Sequence, residues 1–180
     1  MSQIDEFAQS LLEESKRFLE KAKDGDDSVA INAYLHAAIM LAFSSLEAHV
    51  NSISDDFVDR PEMTVHDKAI LMEREVRLER GEYKITPVLK IFRLEDRIQF
   101  LHLRFSGKTV DHMQTWWSRL AGATKLRNQL THPKEMVHIK LEAVERAIQA
   151  IVDTIDALYQ AIYNLPFPTA TRGMQSKLSF

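Results

Sequence analysis

The chain has 180 residues and a formal net charge of −3, enough length for one domain that buries its own core. It contains no cysteine, which excludes disulfide frameworks, thiolate nucleophiles and Cys-ligated zinc. Residues 4–23 alternate acidic, basic and apolar side chains, unlike the apolar run of a signal peptide, so a cytoplasmic location is expected.

The net charge is unevenly spread. Residues 1–62 carry 5 basic and 13 acidic side chains, whereas 83–127 carry 9 basic and 3 acidic. Exposed charges act over about 8 to 10 Å, so such a basic block is either an ordinary solvated face or a hold on a polyanion.

Gly is scarce and no period-2 alternation of useful length is evident, which predicts a mostly helical chain. The first helix, about Ile4 to Ala22, lines up Ile4, Phe7, Leu11 and Phe18 and ends at Asp24-Gly25-Asp26-Asp27. A second helix runs from Ser28 to about Phe57 and is apolar nearly all round between Val29 and Phe43, so it is expected either at the centre of the bundle or shared with a second subunit. Asn32, His36, Ser44 and Ser45 interrupt it, which argues against a membrane span.

Residues 64–108 read as a partly helical insertion. Thr64-Val65-His66-Asp67 has capping-box spacing, with a charged helix expected to reach Arg80 before Gly81. Tyr83 to Ile91 is extended or a loop, and Leu94, Ile98, Leu101 and Phe105 mark another helix. Asp111 is expected to cap a helix whose inward row is Met113, Trp116, Trp117, Leu120, Ala123, Arg127 and Leu130, stopping at Thr131 before Pro133. A final helix, about Leu141 to Tyr163, repeats apolar residues with 3-4 spacing, and residues 165–180 read as a loose tail after a domain of residues 1–164. Four long helices plus an insertion predict an all-α, up-and-down four-helix bundle.

Arg127 lies on the apolar row, and a desolvated guanidinium needs an anionic partner. Glu47, the only charged residue between Asp27 and Asp55, is the expected partner, either as a structural ion pair or as part of a site. His132 follows Arg127 by five residues, about 140° round an ideal helix. The break at Pro133 allows the imidazole to swing back toward the guanidinium, with Asn128 free to bond the last carbonyls. That arrangement is either a C-terminal cap or a proton-transfer group beside a cation.

Arg127-Asn128-Gln129-Leu130-Thr131-His132 resembles the R-N-x-x-x-H form of the R-x(4-6)-H motif of the HEPN superfamily. The isolated acid in Ser45-Leu46-Glu47-Ala48, the motif at the end of a main helix and the final amphipathic helix agree with it. The resemblance implies a four-helix bundle and a metal-independent endoribonuclease of toxin-antitoxin, antiviral or RNA-processing systems. In such enzymes two motif copies face each other across a homodimer, and the ribose 2′-hydroxyl attacks the adjacent phosphate.

Carried over, Arg127 would stabilise phosphate charge, His132 would move a proton, Asn128 would position the motif or a phosphate oxygen, and Glu47 would orient Arg127. Lys125 and Lys134 would touch RNA phosphates. No cofactor or metal is implied, and an antitoxin or other partner protein fits the same setting. Lys134 stands two residues after the histidine, where HEPN toxins paired with a nucleotidyltransferase often carry a modifiable tyrosine. A noncatalytic binding or regulatory module that keeps the bundle and meets a protein or nucleotide partner is the alternative reading.

Overall fold

The computed structural model describes residues 3–180. These form six α-helices and one β-hairpin. Helix α1 (Gln3–Asp24) buries Ala8, Leu11, Leu12 and Leu19 and closes with Lys21 and Lys23 near its negative end. It turns at Gly25, where an added Cβ would come within 3.1 Å of the Lys21 carbonyl oxygen and 3.2 Å of the Ile31 side chain.

Helix α2 (Ser28–Phe57) starts where the Asp27 carboxylate accepts the Val29 N–H. It is antiparallel to α1, and small side chains stitch the two together. The Ser45 hydroxyl donates to the Ala8 carbonyl at 2.8 Å, and the Ser15 hydroxyl donates to the Ala38 carbonyl at 2.7 Å. By length and composition α2 could cross a membrane; here Leu35, Ile39, Leu46 and Ile53 are buried in the core it shares with α1 and later helices.

The capping box forms as the spacing predicts: the Asp67 N–H donates to the Thr64 hydroxyl, and the Thr64 N–H donates to the Asp67 carboxylate. The helix it starts, however, is short. Helix α3 (Val65–Leu71) ends at Met72, and the chain enters strand β1 (Arg74–Glu79), which pairs antiparallel with β2 (Glu82–Leu89). The helix expected to reach Arg80 is thus corrected to a hairpin, and the alternation judged absent is present. Val76 faces Ile85 and Leu78 faces Tyr83, while Arg77, Glu79, Glu82 and Lys84 occupy the other face. Arg80 and Gly81 both take positive φ (52° and 86°), the backbone that a two-residue hairpin turn demands.

Helix α4 (Leu94–Ser106) ties this hairpin to the body. Arg97 is buried, pairs with Glu73 at 3.2 Å, and donates to the Asn51 side-chain oxygen at 2.8 Å and the Ser54 hydroxyl at 3.3 Å. Burial pulls the Arg97 guanidinium below its usual range, and Glu73 and Glu47 oppose that pull.

Helix α5 (Thr115–Thr131) begins four residues after the expected cap. Asp111 spends its carboxylate on the Met113 N–H in a local turn, and Met113 is 88% exposed instead of starting the inward row. Leu120 and Ala123 are buried as that row requires. Helix α6 (Leu141–Tyr163) packs along α5 and α2 and ends at Asn164 in the left-handed conformation.

Residues 165–180 are a strap, which corrects the expected loose tail. Phe167 is buried against Tyr159 and His49, and its N–H donates to Asp156. Lys16, fully buried on α1, donates to the Gly173 carbonyl at 2.8 Å. The Ser176 and Lys177 N–H groups donate to Glu20 and Glu13, and Arg172 pairs with Glu13 at 3.4 Å. Burial pushes the Glu20 carboxyl up, but the Ser176 amide and Arg17 outweigh it and hold that carboxyl below its ordinary range.

Candidate functional site

The end of α5 opens onto a cleft of about 930 Å³. One face of α5 forms its wall, with Trp117, Ala121, Thr124, Lys125, Asn128 and His132 at helical spacing. The first turn of α4 and residues 134–138 form the other sides. Four of the six site residues expected from sequence gather here: Lys125, Asn128, His132 and Lys134.

The helix ends because its last carbonyls are satisfied locally. The His132 N–H donates to the Asn128 carbonyl at 3.0 Å, and the Thr131 hydroxyl donates to the Arg127 carbonyl at 3.2 Å. The Asn128 side chain is not needed for that closure, which corrects the capping role expected for it. Among the described residues that side chain makes no hydrogen bond and is exposed along the cleft. His132 leaves the helix at φ −131°, ψ 58°, exposed and lining the same cleft.

Arg127 and Glu47 lie elsewhere. The half-buried Arg127 turns toward α2, its guanidinium carbon 5.0 Å from the centre of the Phe43 ring, and its Nε is buried with no hydrogen-bond partner among the described residues. No ion pair joins it to Glu47, so that expected contact is corrected. The row Met40, Phe43, Glu47, Val50 straddles two faces of α2: Phe43 and Val50 are buried, whereas Met40 and Glu47 are exposed. Glu47 instead borders a smaller cleft of about 260 Å³ with Asn51, Glu73 and Arg97. Arg127 likewise does not meet His132, since His132 opens on the cleft and Arg127 on α2.

The cleft carries both signs of charge. Arg93, Lys125 and Lys134 face Glu95, Asp96 and Glu135, and none of the six is ion-paired among the described residues. The basic block of the sequence therefore does not assemble as one patch. Arg97 pairs with Glu73, Arg104 with Asp67 and Arg119 with Asp153, while Lys125 alone of its lysines reaches the cleft. No group of three or more His, Asp or Glu side chains stands ready for a metal among the described residues.

Trp116 and Trp117 both pack half-buried against the core, and Trp117 also lines the cleft. His49, about six turns down α2 from its start, is fully buried, and among the described residues both its ring nitrogens are unpartnered. Burial pulls its imidazole down to about 4, although Asp5 opposes this. It is a core residue set edge-on to Tyr159 and Phe167, and nothing places it near the α5 cleft. Comparison with protein-family models, with curated proteins and with solved structures finds no match for this chain.

Proposed function

We propose that this protein is a HEPN-type, metal-independent endoribonuclease that cleaves single-stranded RNA at a pocket shared by two copies of the chain. The observation that carries the reading is the cleft at the end of α5, where Asn128 and His132 open beside Lys125 and Lys134. The long helices α1, α2, α5 and α6 support a four-helix bundle with α3, the hairpin and α4 inserted between its second and third members.

The chemistry follows from the side chains. Lys125 and Lys134 hold backbone phosphates, and Asn128 donates its amide to a phosphate oxygen. The His132 imidazole takes the proton of the ribose 2′-hydroxyl as its oxygen bonds to phosphorus, and a protonated imidazole from the second copy returns one to the departing 5′-oxygen. In the shared pocket the Arg127 guanidinium stabilises the phosphorane charge. Phe43, not Glu47, holds that guanidinium in place. A cytoplasmic toxin or antiviral effector, held in check by an antitoxin or other partner protein, is the setting this activity fits.

The direct test is incubation of the purified protein with end-labelled single-stranded RNA in EDTA, alongside Arg127→Ala and His132→Ala. The reading expects cleavage by the wild type and loss of at least a hundredfold in each variant. Cleavage that survives both changes would remove the assigned site. Light scattering should give a dimer, because a monomer has no two-copy pocket.

One observation favours a second reading, a HEPN-like module that binds without cutting: Arg127 is committed to Phe43 and absent from the cleft that holds His132. RNA binding with no cleavage by the wild type would select it.

A further inference from the structure

We infer that the Trp117 end of the cleft is a nucleobase subsite, so that a single strand lies along α5 from Trp117 to His132. The inference rests on the RNA reading above and adds where a base is held. Trp117 and His132 lie on one face of α5, and at about 1.5 Å per residue their separation along the helix is about 22 Å. That length exceeds one nucleotide, so a base at Trp117 and a phosphate at His132 belong to different positions of one strand.

The indole is prepared for stacking. His112 backs it in a stacked arrangement with ring centres 5.5 Å apart, and Trp116 braces it edge-on at 5.6 Å. These contacts fix the plane of the ring while it still lines the cleft. A supported aromatic face recognises any base, because every base presents a π-face. Lys125 and Lys134 stand further along the same cleft, where the phosphates of the strand would pass, and both lack an ion-pair partner among the described residues.

Trp116 lines a different cleft with His102 and Asp153, so its indole can be removed while a phenyl ring keeps an aromatic edge against Trp117. In Trp116→Phe, Trp117 is the sole tryptophan, and its fluorescence is titrated with a short 2′-O-methylated oligoadenylate, which binds but offers no 2′-hydroxyl for attack. Saturable quenching is expected, with little quenching by the same strand annealed to its complement, whose bases are already stacked. Trp117→Leu, which keeps an apolar side chain against the core, should weaken binding of the oligonucleotide about tenfold, the scale of one lost base–aromatic contact.

Binding without quenching, equal quenching by the duplex, or no binding at all would overturn the subsite. The two readings separate cleanly. RNA cleavage by a protein whose Trp117 is not quenched discards the subsite alone, whereas quenching in a protein that never cuts RNA discards the nuclease alone.

Discussion

Arg127 of α5 and Phe43 of α2 form a cation–π contact, with the guanidinium carbon 5.0 Å from the ring centre. The contact spans two helices that also share the buried core through Leu46, Leu120 and Ala123. It contributes about 0.5 to 2 kcal/mol, depending on how far the pair is desolvated. Against it stands the Arg127 Nε, buried with no acceptor, at a cost of about 1 to 3 kcal/mol.

These opposing effects are of similar size, so the guanidinium adds little net stability. Arg127→Met keeps the length of the side chain and removes the orphaned donor. Urea unfolding should place this variant within about 1 kcal/mol of the wild type. A loss of several kcal/mol would mean that Arg127 is a structural residue.

His49 makes stability pH-dependent in a defined window. Its folded-state pKa is about 4 against 6.5 in the unfolded chain, so the unfolded state binds the proton more tightly. Stability is full above pH 6.5 and falls as the pH drops toward 4, by about 3 kcal/mol for this one group. The Asp67 carboxyl adds a separate loss at lower pH: burial opposes, but its Thr64 bonds and Arg104 hold it below its ordinary range. In His49→Leu, the loss between pH 6.5 and 4 should disappear while the loss below pH 4 remains. An unchanged slope between pH 6.5 and 4 would contradict the assignment.

The strap should stabilise the helices it crosses. Phe167 is 1% exposed between His49 and Tyr159, and truncating a buried phenylalanine costs about 3 to 5 kcal/mol. Phe167→Ala should lower the urea midpoint accordingly. Its loss should also speed amide exchange at Ser176 and Lys177, whose N–H groups bond to Glu20 and Glu13. A variant as stable as the wild type would show that the strap lies on the surface passively.

Arg97 should be the anchor of the hairpin. Arg97→Ala leaves Glu73 without its cation and the Asn51 side-chain oxygen without its donor, at a cost below the roughly 3 to 5 kcal/mol of a fully buried pair because the Glu73 side chain is 23% exposed. Hydrogen exchange should rise across β1 and β2 more than across α6. Uniform protection across both regions would show that the hairpin is held by its own turn and by α3.

The helices were legible in the sequence wherever one apolar stripe dominated. Leu141 to Tyr163 repeats Val144, Ile148, Ile151, Ile155 and Leu158 on its buried face, and α6 has those bounds. The Thr64–Asp67 cap was equally legible because it is local. The hairpin was obscured because Val76, Leu78, Tyr83 and Ile85 alternate with charges that also fit an exposed helix, and its turn is Arg-Gly instead of Asn-Gly. The strap was invisible because backbone amides meeting Glu13 and Glu20 leave no periodic trace.

Within the site, the proline break was legible as the end of α5, but the expected swing of His132 toward Arg127 was not met, because the imidazole opens on the cleft and the guanidinium on Phe43. The Glu47–Arg127 contact failed because positions four apart on a helix still differ by about 40°, enough to carry Glu47 to the solvent side of a row that buries Phe43 and Val50. The Arg97 cluster joins residues far apart in the chain, which no local pattern encodes.

The most direct measurement is the chemistry of the RNA ends produced in EDTA, read by mass spectrometry. Attack by the ribose oxygen forms the new bond to phosphorus as the bond to the 5′-oxygen breaks, so the account predicts 2′,3′-cyclic phosphate and 5′-hydroxyl ends, with no product when the scissile ribose is 2′-O-methylated. Products ending in a 3′-hydroxyl, or cyclic-phosphate products that persist undiminished in His132→Ala, would contradict it.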